Sequence, residues 1–378
     1  MSDQIQKENE NIDSALELGI IKCLHDSKRL SEFPHVTKNG EWLTSEHGRW
    51  TAGFFVGMIW MSGMVKDDAN IYKTAESWAK RLESRSFDCS THDMGFLFEP
   101  SMVRGFNITG NKYFRDNAVQ AAKSLASRFH RKGLYIPAWS PEEDLSYLGL
   151  AIVDTIMNLP ILIWAGRMAG DQDLCKIGNL CAETIQAQHI RPNGSTYHTV
   201  DHDDETGAIS SKGTHQGADN ESCWTRGQAW ALHGFAKISI MTGSKEFLTT
   251  ALQLADYFLN RLGNNILPPW DFDRSGEGQP RDSAAAAIAA SGLLELSKVS
   301  GDITYADQGR RIVLGLIDSC VDFEHPDRPG LLMHGTVDYP RRSGVDESIM
   351  YGDHYFMEAL IKLRYPQLWG SLSCVLDS

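Results

Sequence analysis

Apolar residues along this chain recur mostly at i, i+3, i+4 and i+7, the spacing that lines one face of a helix, and strand-like alternation is scarce. One kind of segment returns: a short turn with Gly or Asp, an aromatic or Leu, then an amphipathic helix. It occurs in DDANIYKTAESWAKRL (67–82), TGNKYFRDNAVQAAKSLASRF (109–129), AGDQDLCKIGNLCAETIQA (169–187), TGSKEFLTTALQLADYFLNRL (242–262) and SGDITYADQGRRIVLGLIDSC (300–320). With NIDSALELGIIKCLHD (11–26) there are six such segments, each polar on one face as an outer helix should be.

Between them lies a second set, apolar nearly all round and rich in Gly and Ala. These are WTAGFFVGMIWMSGM (50–64), DMGFLFEPSMVRGFN (93–107), IVDTIMNLPILIWAGRMAG (152–170), WTRGQAWALHGFAKISIMTG (224–243), DSAAAAIAASGLLELSKVSG (282–301) and YGDHYFMEALIKLRY (351–365). A helix with so little polar surface is buried on most sides. Six outer helices alternating with six inner ones predict an all-α fold, an (α/α)6 barrel. It forms one domain over residues 1–378, with short tails at about 1–10 and about 366–378. The spacing between turns is irregular, which fits a closed toroid better than an open solenoid. An ordinary helical bundle would not require polar residues to gather at one end of alternate helices. Here they do, as Trp50, Asp93, Asp154, Trp224 with Arg226, Asp282 with Ser283, and Gly352 with Asp353. Such a ring of helix N-termini defines a funnel, and aromatic plus acidic residues in one concavity suggest a sugar-processing cleft.

Composition narrows the partners. A formal net charge of −13 argues against nucleic acid and against an anionic membrane. The start MSDQIQKENENIDS has neither a basic nor an apolar leader region, and no long apolar run suggests a membrane span. The seven cysteines never fall in CxxC spacing, so reduced thiols in a cytoplasmic protein are expected and a zinc site is not. Nothing in the pattern specifies an oligomer.

Two aspartates carry the candidate chemistry. Asp93 and Asp154 each open an inner helix, where an acid is useful as a cap. Two carboxylates facing one cavity cannot both ionise cheaply, so one becomes a proton donor. Asp154, between GLAIV and TIMNLPILIWAG, has the more apolar setting and is the better general acid; Asp93 is then its ionised neighbour. The stretch STYHTVDHDDETGAISSKGTHQGADNESCWTRGQAW (195–230) reads as a long polar loop running into a helix near Trp224. Its histidines His198, His202 and His215, near Asp201, Asp203 and Asp204, follow no metal-ligand spacing, and Asp203 with Asp204 read as solvated loop acids. His198, Gln216 and Arg226 are candidates for orienting water and binding a hydroxyl or carboxylate. Trp50, Trp139, Trp224 and Trp230 sit at or near loop-to-helix junctions, where a tryptophan stacks on sugar faces; Trp164, inside ILIWAG, reads as core.

At these residues the chain resembles the unsaturated glucuronyl hydrolases, glycoside hydrolase family 88. The resemblance runs in order through FPHVT, WTAGFFVGMIW, THDMGFLF, AWS, IVDTIMNLPILIWAG, STYHT, GTHQG, SCWTRGQAW, PPWDF, RDSAAAAI and YGDHYFMEAL, from about residue 33 to 362. It implies an (α/α)6 barrel, no metal and no cofactor. The implied substrates are lyase-generated oligosaccharides that end in a 4-deoxy-Δ4,5-unsaturated uronate. It further implies catalysis by Asp154 and Asp93, with Trp50, His92, Trp139, His198, Gln216, Trp224, Arg226 and Trp230 binding substrate. The sequence departs from the family at Ala52, where an acidic residue is expected on the pocket wall, and in HGTVDYPRRSGVDES (334–348). Arg341 and Arg342 there are read as solvated arginines, with sulfate or uronate binding as the alternative. Rival readings are a rhamnogalacturonyl hydrolase of the same barrel, a sugar epimerase or lyase on the same toroid, and a non-catalytic carbohydrate-binding toroid.

Overall fold

The computed structural model describes residues 2–140, 144, 147–274, 276 and 278–368. Cys374 and the tail beyond Leu368 lie outside the described residues. Outer helices α1 (Ser2–Arg29), α3 (Ala69–Lys80), α6 (Lys112–Ser127), α8 (Gln172–His189), α10 (Lys245–Leu262) and α12 (Ile303–Cys320) alternate with inner segments. The inner segments are α2 (Ala52–Lys66), α4 (Met94–Phe98) continued by α5 (Arg104–Thr109), α7 (Pro160–Ala169), α9 (Thr225–Thr242), α11 (Ser283–Ser300) and α13 (Met350–Arg364). Each inner segment packs on the next and α13 returns to α2, so the ring closes as an (α/α)6 toroid. The first ten residues expected as a tail are instead the opening turns of α1 from Ser2.

The recurring turn has a simple physical basis. Inner helices α5, α7, α9 and α11 end on Gly110, Gly170, Gly243 and Gly301, all with φ between +66° and +76°, a conformation that glycine adopts without a Cβ penalty. The next residue, Asn111, Asp171, Ser244 or Asp302, caps the following outer helix by accepting a backbone N–H. Inner helices begin differently. Apart from α11, capped by Asp282, their first turns receive no side-chain cap. Their orphan N–H groups therefore collect at one end of the toroid.

Three small antiparallel sheets decorate that end: β1 (Phe33–Lys38) with β2 (Glu41–Ser45), β3 (Leu150–Ile152) with β4 (Thr199–His202) and β5 (Ile209–Gly213), and β6 (Gly335–Asp338) with β7 (Ser343–Glu347). The periodicity did not announce them. The segment 195–230 is thus a strand pair and turn as well as loop. The inner helix expected over 152–170 is also broken. Asp154 lies in a short 3-10 turn, Val153–Met157, and α7 starts only at Pro160, a residue suited to a first helical position. Pro100, which has no N–H to donate, likewise coincides with a π turn, Glu99–Val103, between α4 and α5.

The axis of the ring is filled in layers. Below the funnel lies an aromatic floor of Trp50, Phe54, Phe96, Trp230, Tyr351 and Tyr355, with ring centroids 5.0–6.3 Å apart. Beneath it the side chains become charged. Lys362 Nζ lies 2.9 Å from both Glu295 Oε1 and Glu358 Oε1 and donates to Ser291 Oγ at 2.8 Å. Arg104 Nη2 reaches Glu358 Oε2 at 3.1 Å, and Lys237 pairs with Glu99. Burial favours the neutral acids, yet the Lys362 ammonium holds both Glu295 and Glu358 below the usual carboxylate range. Three acids face three bases, so the network is balanced only while complete. Lys362→Met is expected to lower unfolding stability by about 3–5 kcal/mol, measured by urea titration, because two buried carboxylates lose their shared cation.

Candidate active site

The site is assembled where β3, β4 and two inner segments meet. β3 pairs with β4, and Val153 N–H donates to His198 O at 2.9 Å, which sets Asp154 beside His198. The Asp93 segment approaches Asp154 through Gly95, where a Cβ would stand 2.4 Å from Asn158 Cα. Phe96 N–H then donates to Asn158 Oδ1 at 2.8 Å. His92 Nδ1 lies 2.8 Å from Thr155 Oγ1, a second tie between the two segments.

Asp93 occupies a helix N-cap position but makes no capping bond. Its Oδ2 accepts from Thr91 Oγ1 at 2.7 Å, and its Oδ1 lies 3.3 Å from His92 Nε2. Asp154 is left otherwise. Its Oδ2 is enclosed without a hydrogen-bond partner, 3.7 Å from His198 Nε2. Burial raises the Asp154 carboxyl to about 6, opposed by His92 and Arg226. The charge of Asp93 adds only the smallest of the contributions to that rise. Desolvation is the main cause of that rise.

His198 is fixed as a donor. Its Nδ1 faces the backbone N–H groups of His215 and Gln216 at 3.2 and 3.3 Å, so it accepts, and the ring proton belongs on Nε2 toward Asp154. Burial keeps the imidazole neutral, holding it well below its usual range. Trp224 stacks on it at 4.3 Å and also covers Arg226, whose Cζ lies 4.6 Å from the indole ring. Arg226 is less free than its position in the sequence suggested. Its guanidinium pairs with Asp282 at 2.6 Å and donates to the carbonyls of Thr336 and Val337 in β6. Gln216 Nε2 donates to the same Val337 carbonyl at 2.8 Å.

The remaining candidates divide. Trp50 stacks on Tyr351 at 5.1 Å, and Trp139, half-buried, lies 4.8 Å from His215 at the rim. Trp230 is fully enclosed in the floor, its Nε1–H without a partner, and Trp164 is core as expected. His202 stacks on Tyr135 and bonds Gly149 O and Gln188, so the three histidines of the polar stretch do not converge. Asp353 serves the fold instead, accepting the N–H groups of Leu331 and Leu332. Ala52 is completely buried, against the Gly48 turn. Arg341 is not simply solvated: it donates to His215 O and Asp338 Oδ2, both at 2.8 Å, clasping the β6–β7 hairpin to the GTHQG turn. Arg342 packs over Tyr339 at 4.5 Å.

Residues that sequence reasoning missed include Thr155, which holds His92, and the β6 carbonyls that hold Arg226. Backbone acceptors 110 positions away leave no sequence signal. As for a metal, His233, Glu295 and Glu358 offer ligand atoms within 4.8 Å of one another, but the Lys362 ammonium already sits against both carboxylates.

The chain is similar to several known proteins. The model of Glycosyl Hydrolase Family 88 matches residues 23–247. The unsaturated glucuronyl hydrolase of Bacillus sp. strain GL1 is 32% identical over 88% of this chain and 91% of its own. The unsaturated chondroitin disaccharide hydrolase of Streptococcus pyogenes serotype M1 is 32% identical over 96% and 92%. The crystal structure of the Bacillus sp. GL1 enzyme, responsible for the degradation of glycosaminoglycan, superposes with a TM-score of 0.87 at 29% identity, covering 95% of this chain and 97% of that one.

The raised pKa of Asp154 has a consequence for stability. A carboxyl that titrates near 6 when folded and 3.8 when unfolded contributes its full share below 3.8 and loses it as pH rises through about 6. Asp154→Asn removes that loss. Relative to wild type, it should gain about 3 kcal/mol of unfolding stability between pH 4 and pH 8, read from urea titrations at each pH.

Proposed function

We propose residue roles on one premise: the chain belongs to glycosyl hydrolase family 88. It is a glycosidase that releases the 4-deoxy-Δ4,5-unsaturated glucuronic acid from the non-reducing end of lyase-generated oligosaccharides. Its reaction hydrates the C4=C5 enol ether. A proton adds to C4, positive charge develops at C5 beside the ring oxygen, water adds to C5, and the resulting hemiketal opens and releases the remaining sugar. One acid that becomes a base suffices, unlike the paired carboxylates of ordinary glycosidases.

Asp154 supplies that proton and, once ionised, takes one from the incoming water. The observation that carries this assignment is its enclosed Oδ2, unpartnered and raised by burial to about 6, above the usual carboxylate range. His198 Nε2–H, 3.7 Å away, donates to a water or substrate oxygen that lies beside both groups. Asp93, tied by Thr91 and His92, accepts from sugar hydroxyls, and its position beside the Asp154 turn suits it to face the same ring. Trp50, Trp139 and Trp224 offer stacking surfaces. Gln216 and Arg226 stand with them but are anchored to β6, so they shape the wall. Trp230 contributes its Nε1–H from the floor. A cytoplasmic setting belongs to the same reading, supported by six described cysteines without a disulfide among them. No described helix is long and apolar enough to cross a membrane.

The test follows the ultraviolet absorbance of the Δ4,5 double bond after addition of lyase-generated disaccharides. Wild type should bleach it, and Asp154→Asn should be slower by about 10²–10⁴-fold, the usual share of general acid–base catalysis. Equal rates for the two proteins would sink the proton-donor assignment. The pH profile adds an independent check: kcat/KM should fall as pH rises past about 6, where Asp154 loses its proton. A panel of chondroitin, heparin, hyaluronan, gellan and ulvan disaccharides then identifies the sugar accepted beyond the cleaved bond.

A further inference from the structure

We propose that Tyr351 contacts the substrate directly, its hydroxyl donating a hydrogen bond to an oxygen of the unsaturated uronate above the aromatic floor. This inference deepens the hydrolase reading and rests on it. Three observations carry it. The Tyr351 ring is fully enclosed, stacked on Trp50 at 5.1 Å with Trp230 at 5.9 Å, yet its hydroxyl has no hydrogen-bond partner. A phenylalanine would pack the same rings without leaving a buried hydroxyl unsatisfied. Folding alone therefore gives no reason for this oxygen.

The second observation is where the residue stands. The Arg226 guanidinium lies 5.3 Å from the Tyr351 ring and is electrostatically linked to both Tyr351 and Asp154. Tyr351 in turn feels Asp154, Asp282 and Asp338 as well as Arg226, so it belongs to the cluster at the top of the ring rather than to the charged network below. The third is chemical complementarity. Other unpartnered groups here include Asp154 Oδ2, the Nε2–H of His198, the Thr225 hydroxyl and the Nε1–H of Trp230, a set rich in donors. An unsaturated uronate presents the matching acceptors, two carboxylate oxygens, a ring oxygen and hydroxyls. Burial pushes ionisation of the Tyr351 phenol up, so it remains a neutral donor.

The decisive variant is Tyr351→Phe in the full chain, assayed on a Δ4,5-uronyl disaccharide that wild type consumes and melted in parallel. KM is expected to rise about tenfold, equivalent to about 1.4 kcal/mol of binding, while Tm stays level or rises because an unsatisfied hydroxyl has gone. A merely structural tyrosine would give the opposite pair, a lower Tm with kcat/KM within about twofold of wild type, and that result overturns the proposal. A drop in both Tm and activity overturns it too, since the hydroxyl would then be holding the fold. Binding without turnover gives a second readout. Asp154→Asn with Tyr351→Phe should bind the same disaccharide about tenfold more weakly than Asp154→Asn alone by calorimetry, and equal affinity counts against the contact. The two levels of failure differ. A wild type inert toward every Δ4,5 substrate brings down the hydrolase reading and this contact with it, whereas an active wild type matched by Tyr351→Phe removes the contact alone.

Discussion

Glu99, Glu295 and Glu358, enclosed with Arg104, Lys237 and Lys362, fix how the inner helices meet. These six side chains come from the π turn, α5, α9, α11 and α13, and Arg104 also donates to Gly57 O in α2. Charges taken out of water tolerate little displacement, because each loses its partner before solvent can replace it. Apolar packing alone permits helices to slide by fractions of a turn; a balanced ionic network does not. On this base the aromatic floor is laid, and on the floor stands the site. The position of Asp154 is thus set from below as well as by the strands beside it.

The site itself reverses the logic of the network. Beneath the floor almost every charge has found its complement, whereas above it polar atoms on Asp154, His198, Thr225, Trp230 and Tyr351 are enclosed and unpaired. Unpaired buried polar atoms are a burden on the folded state, tolerated where a ligand later supplies the partner. Asp93 is the instructive contrast, since both its oxygens are engaged by Thr91 and His92. Two aspartates on adjacent inner segments are thereby made chemically different by how thoroughly their neighbours satisfy them.

Much of this was legible in the sequence because it is local. The Gly-then-cap turns, the stripes of the outer helices and the all-round burial of the inner ones are written in consecutive residues, and the six pairs follow in the predicted order, although a π turn splits the inner segment at 93–107 and a 3-10 turn delays the one at 152–170. The apolar flanks of Asp154 point to the burial that raises its carboxyl to about 6. The strands were not, although Asn39–Gly40, both with positive φ between β1 and β2, is a turn signal that could have been used. β4 and β5 are short and polar on their open face, so no alternation betrays them. What remained hidden is non-local. The β6 carbonyls that hold Arg226 lie far along the chain, Asp353 looked like a funnel acid until Leu331 and Leu332 claimed it, and Tyr351 lay one residue before the glycine that drew notice.

The clamp between Arg226 and the β6 carbonyls also bears on the order in which the molecule can mature. Arg226 meets its acceptors 110 and 111 residues later, Lys362 completes its network 67 residues after Glu295, and Arg364 closes the ring on Asp13 across 351 positions. Every one of these ties waits for the last inner helix or the hairpin before it. A nascent chain that has already emerged through the GTHQG turn and α9 therefore carries the whole proton-transfer apparatus without the frame that holds it. Contacts of such long sequence separation form slowly. The frame around the site is therefore complete only when the last inner helix is in place.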